Sequence, residues 1–176
     1  MTPDRLREVF DWIEPLIEQR WGIPVRITDV PNPFTGDLDG EAILVDHDLD
    51  IEDAVFILIH LFGHTVQWNV SERAREIGFA RRETWTEDQL HELADYEQQA
   101  CAYSLQLLHE AEVHDLDQWV ANFAACDTAY LLHFYRTGEK RPFRSFWRDD
   151  SPAIRPLAIP PFTPTRWISR YDGTVV

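Results

Sequence analysis

A chain of 176 residues suffices for one domain with a full core, and its 44% hydrophobic and 12% aromatic content, with seven Trp, fits a folded globule rather than a disordered chain. A formal net charge of -15, without clustered Lys and Arg, argues against nucleic acid as a partner and towards neutral or basic small molecules or peptides, or a protein. No apolar run reaches the roughly 20 residues that span a bilayer, and the acidic start MTPDRLREVF is unlike an export signal, so a cytoplasmic protein with no membrane partner is expected.

In chain order, Thr2 or Asp4 caps a first helix whose Leu6, Val9, Phe10, Ile13, Leu16 and Ile17 recur at helical spacing up to a stop at Gly22. Residues 24–30 alternate like a half-buried strand, and residues 41–46 read as a second. Two strands alone are marginal, so a third is expected within 34–38, or the sheet leans on the helices. The acidic stretch 46–53 follows. It places carboxylates where the dipole of the next helix favours them, and capping accounts for Asp48 and Asp50 without a ligand role for them or for His47.

That next helix, residues 51–73, is apolar on almost every side and carries His60 and His64. A spacing of four puts both imidazoles on one face, about 5–6 Å apart at Cβ. Two rings in such surroundings either pack as hydrogen-bonded core histidines or hold a transition metal. The pair favours the metal, because burying both without strong partners costs a few kcal/mol. Gly63, between them, lies inside a helix at a cost of about 1 kcal/mol relative to Ala, which points to close approach by another element or a ligand. Residues 73–86 show no period and read as a loop or lid.

Residues 87–110 form the next helix, capped by Thr86, with a small and apolar stripe that Glu97 interrupts. Glu97 either meets a cation or points outward at the stripe's margin, and the two upstream histidines favour the cation. A further helix at 116–137 repeats the anomaly with Asp127, which reads as a partner fixing a histidine tautomer, a fourth ligand, a general base, or a carboxylate bonded to Tyr or Trp. His109, His114 and His133 belong at the surface or near helix ends. Cys101 and Cys126 are too few for a disulfide framework and are expected to be reduced and buried. The tail, 141–176, holds six Pro and several aromatic anchors and is expected to dock as extended chain.

HLFGH at 60–64, followed by EQQACAYSLQLL at 97–108, resembles the ImmA/IrrE family of zinc-dependent peptidases, over roughly residues 23–108. The resemblance implies a zincin-like core at about 1–110; with the added helix at about 114–138 and the docked tail, which lie outside it, the chain is expected to form one α+β domain, a sheet of two to three strands on a bundle of four main helices. It also implies a divalent metal, zinc first, held by His60, His64 and Glu97; the same two-histidine, one-carboxylate set describes non-haem iron sites and leaves Fe(II) as the alternative. Gln99 stands where the family often has Glu. The family's motif has a general-base Glu directly after the first His, where this chain has Leu61, and leucine cannot take a proton. A substitute must come from elsewhere, with Asp127 and Asp95 as the candidates. Three functions are therefore open: a metal-dependent, hydrolase-like enzyme with a relocated base; a non-haem Fe(II) oxidative enzyme on the same two-histidine, one-carboxylate set; or an inactive peptidase-like binding module.

Overall fold

The computed structural model describes residues 1–169 and 171, and among these the fold is α+β, with five α-helices and one mixed three-stranded sheet. Helix α1 (Pro3–Trp21) begins where the Thr2 hydroxyl accepts from the Arg5 N–H and ends at Gly22, whose φ of 68° is left-handed. Its buried Leu6, Val9, Phe10, Ile13 and Ile17 are the stripe expected from the spacing. The strands are β1 (Val25–Thr28), β2 (Gly36–Leu38) and β3 (Ile43–Asp46), in the order β1-β3-β2. β1 runs parallel to β3 and β2 runs antiparallel to it. The third strand does lie within 34–38. A Cβ on Gly36 would stand 2.7 Å from Ile57 and 2.9 Å from Leu61, so glycine lets β2 lie close on the next helix.

That helix, α2 (Ile51–Val70), is capped by Asp50, whose carboxylate accepts from the Asp53 N–H. It packs against α1, β2, β3 and both following helices, which explains its apolar circumference. It stops at Val70 rather than near residue 73. Ser71 is extended, and its hydroxyl accepts from the Ala74 N–H to start a new short helix, α3 (Glu72–Gly78). The stretch 73–86 is thus part helix, part loop; two turns are too short to display a period.

Helix α4 (Glu87–Glu110) opens with a reciprocal capping box between Thr86 and Gln89, and α5 (Asp117–Thr137) closes at Gly138 with φ 72°. The α2–α4 crossing is unusually tight at Gly63, where an added Cβ would be 2.8 Å from the Ala100 carbonyl carbon and 2.9 Å from Ser104 Oγ. Gly63 thus admits another helix, as the sequence suggested. Cys101 and Cys126 are free and buried. The tail docks through Phe143, Trp147, Ile154, Ile159 and Phe162 on the main core, and the Leu157 N–H donates to the Ala102 carbonyl at 3.1 Å. Further along, the Thr165 N–H and the Trp167 indole N–H donate to Asn69 Oδ1, while the Trp167 backbone N–H donates to the Asp39 carbonyl. Residues 170 and 172–176 of the expected tail lie outside the described residues. No helix among those described is long and apolar enough to cross a membrane.

Candidate metal centre

Helical spacing stacks His60 and His64 on one side of α2, and the close crossing at Gly63 brings α4 near enough for Glu97 to reach both. His60 Nε2 and His64 Nε2 are 3.0 Å apart, and Glu97 Oε2 lies 3.1 Å from the second and 3.3 Å from the first. All three side chains are buried. The triangle is close to one face of a tetrahedron around zinc, whose edges are about 3.3 Å for bonds of about 2.0 Å. The three residues form a group able to hold a metal ion.

The surroundings fix which ring nitrogens face inward. The Gln67 amide N–H₂ donates to the Tyr96 carbonyl at 2.8 Å and to Gln99 Oε1 at 2.9 Å. A backbone carbonyl is only an acceptor, so the Gln67 oxygen must be the atom facing His64 Nδ1 at 2.8 Å, and it accepts the Nδ1–H. In the neutral ring His64 Nε2 is then the unprotonated nitrogen, a lone pair aimed at the carboxylate of Glu97. Two acceptors at 3.1 Å repel unless a proton or a metal ion joins them, and the neutral donor set is that of a metal site. His60 Nδ1 faces Cys101 Sγ at 3.5 Å, and a neutral ring whose Nδ1–H is given to the sulfur has its Nε2 free as well. Phe56 stacks on the His60 ring at 5.2 Å and Tyr96 on the His64 ring at 4.6 Å, which holds both planes.

The remaining candidates separate cleanly. Asp127, on α5, places Oδ2 3.8 Å from His60 Nε2, beyond direct hydrogen-bonding distance, and lines the same cavity. Asp95 is exposed on α4 and is not on that cavity's wall; two residues from Glu97 correspond to about 200° around the helix, so the two cannot point the same way. Gln99 supports Gln67 instead of joining the triangle. Asp50 is the cap of α2, and His47, half exposed, groups with Asp29 and Asp46 on the surface, apart from the triangle. Sequence reasoning missed Gln67. The available signal was a polar amide, fully buried in the structure, three residues after His64 in an apolar run.

The two carboxylates by His60 are driven apart. Without a metal, a proton on the imidazoles takes the cation's place: burial works to raise the Glu97 carboxyl, but the charge of His64 and hydrogen bonds from both protonated rings outweigh it and hold the pKa down at about 2. Burial pushes Asp127 up to about 6, with His60 opposing and Glu97 adding to the rise. Paired titratable groups separated in this way suit different tasks, one staying ionised and one exchanging a proton near neutrality.

Beside the triangle lies a cavity of about 470 Å³ whose wall includes His60, His64, Glu97 and Asp127 with mostly apolar neighbours. Two larger hollows flank α1 and contain none of these four. The site is thus a buried two-histidine, one-carboxylate group opening on a pocket of ligand size. Compared with protein families, curated proteins and solved structures, the chain matches none of them.

Proposed function

We propose that this chain is a metal-dependent, hydrolase-like enzyme acting on a peptide or small molecule, built on an ImmA/IrrE-like, zincin-like scaffold with α5 added. The observation that carries the reading is the triangle of His60 Nε2, His64 Nε2 and Glu97 Oε2, all within 3.3 Å of one another and set on a cavity that also holds the Asp127 carboxylate. A divalent ion held there, zinc in first place, supplies Lewis acidity that polarises a carbonyl and acidifies water. Gln67 and Cys101 hold the imidazole orientations through their contacts with Nδ1. Glu97, kept ionised, contributes the negative charge that retains a cation. Asp127, with Oδ2 3.8 Å from His60 Nε2 on the same cavity wall, takes the role that Leu61 cannot: as a carboxylate at neutral pH it would accept a proton and return it to a leaving group. Phe56 and Phe123, stacked at 4.3 Å, help to keep bulk water from that proton route.

The test is elemental analysis of the purified chain together with hydrolysis of a mixed fluorogenic peptide library. About one zinc per chain is expected, retained in Asp127→Asn and lost in the His60→Ala, His64→Ala double variant. Asp127→Asn is expected to reduce turnover by about 10² to 10⁴. Iron in place of zinc would favour the oxidative reading of the same ligand set. Metal bound equally by wild type and Asp127→Asn, with no turnover in either, would favour a binding module.

A further inference from the structure

The cavity beside the metal group has a composition that selects its occupant. Aromatic Phe34, Phe123 and Tyr130 and aliphatic Ile57, Leu61 and Leu131 supply much of its wall. Its acidic and imidazole lining residues are His60, His64, Glu97, Asp127 and Asp53, and no Lys or Arg is among the described residues that line it. Asp53 is engaged by Arg144 at 3.2 Å. Arg144 is itself committed: it also donates to Glu52 at 2.9 Å and lies over the Phe123 ring at 4.5 Å and the Trp147 ring at 4.7 Å. A substrate carboxylate would therefore find aromatic faces and carboxylates, with no free guanidinium or ammonium to receive it. Leu61 adds to this, since the position after the first histidine extends the apolar wall towards β2, where it meets Gly36.

Resting on the proposed metal centre, we infer that the cavity is the specificity pocket and takes an uncharged apolar or aromatic group carried next to the carbonyl that reacts, discriminating against acidic groups. About 470 Å³ accommodates one large side chain with the adjoining backbone. The pairing is hydrophobic burial on Phe34, Tyr130 and Leu131, with orientation set by the carbonyl at the triangle.

Hydroxamates chelate divalent metals directly, so they probe the pocket without a known substrate. The zinc-loaded full chain is titrated calorimetrically with acetohydroxamic acid, 3-phenylpropanohydroxamic acid and succinic acid monohydroxamate. The phenyl compound is expected to bind at least about tenfold more tightly than acetohydroxamate, and the carboxylate compound no more tightly than acetohydroxamate. Leu131→Ala, at a half-buried wall position, is expected to lower the ratio of phenyl to acetyl affinity, and an unchanged ratio counts against the inference. Equal affinity for the phenyl and acetyl compounds, or preference for the carboxylate one, overturns this inference alone. Failure to take up zinc or to bind acetohydroxamate overturns the metal centre and the inference with it.

Discussion

Replacing Gly63 with alanine tests whether the α2–α4 crossing sets the metal group. The new methyl carbon would stand 2.8 Å from the Ala100 carbonyl carbon and 2.9 Å from Ser104 Oγ, with the Ala100 carbonyl oxygen closer still. Ordinary contacts lie at about 3.5 Å or more, so α4 must recoil by at least roughly half an ångström. Ser104 has little freedom to turn aside, because its hydroxyl donates to the carbonyls of Ile59 and Ala100. Overpacking of this kind costs about 1–3 kcal/mol, and the better helix propensity of alanine returns about 1 kcal/mol. A net loss of up to about 2 kcal/mol is expected, which for this chain length lowers Tm by up to roughly 8 °C. Glu97 sits one turn before Ala100 and moves with it, while metal–ligand distances tolerate only about 0.2 Å, so zinc affinity should fall at least about tenfold. Urea unfolding of the metal-free protein reads the first effect and competition with a chelating dye the second. An alanine variant as stable as wild type, with the same zinc Kd, would refute this account of the crossing.

Gln67→Leu removes the acceptor that sets the His64 tautomer and should weaken zinc binding about 10- to 100-fold, measured by the same dye competition, with an unchanged Kd counting against the tautomer argument. In the metal-free protein, folded Asp127 keeps its proton up to about pH 6 whereas the unfolded chain releases it near the ordinary 3.8. The native state then binds the extra proton, so stability falls as pH rises from 4.5 to 6.5, by about 2 kcal/mol relative to Asp127→Asn; parallel pH profiles for the two proteins would contradict this. Asn69→Ala strips the acceptor of both Thr165 and Trp167 and the donor to the Gly40 carbonyl, and should lower stability by about 2 kcal/mol in a urea melt; no change would mean the tail is not held there.

Much of the site was legible because its chemistry clashes with its surroundings. Two histidines four apart in an apolar run, and single carboxylates in the stripes of two later helices, each break a pattern that packing alone would have kept. Helical phase then decided between the two acids nearest in sequence, Glu97 buried and Asp95 exposed. Gln67 escaped notice because one amide in an apolar helix carries no periodic signal; only its three partners in space reveal its role. The strands were visible as alternation or as a short turn-bounded segment, but their order was not. A parallel β1–β3 pair flanked by an antiparallel β2 depends on long-range register, to which local residue preferences are blind. Helix α3 was hidden for a plainer reason, a serine cap inside a charged stretch of only two turns.

The division of labour between helices has an evolutionary consequence. The triangle belongs to α2 and α4, whereas Asp127 belongs to α5, so under the proposed function changes on α5 would alter proton handling without touching an atom of the ligand set. When acid–base group and ligands share one five-residue motif, drift at either endangers both. Here they can be inherited and modified separately. Descendants of such a chain could lose or exchange their reaction while keeping the ion, and a designer could graft different reactivities onto α5 above a constant pair of metal-bearing helices.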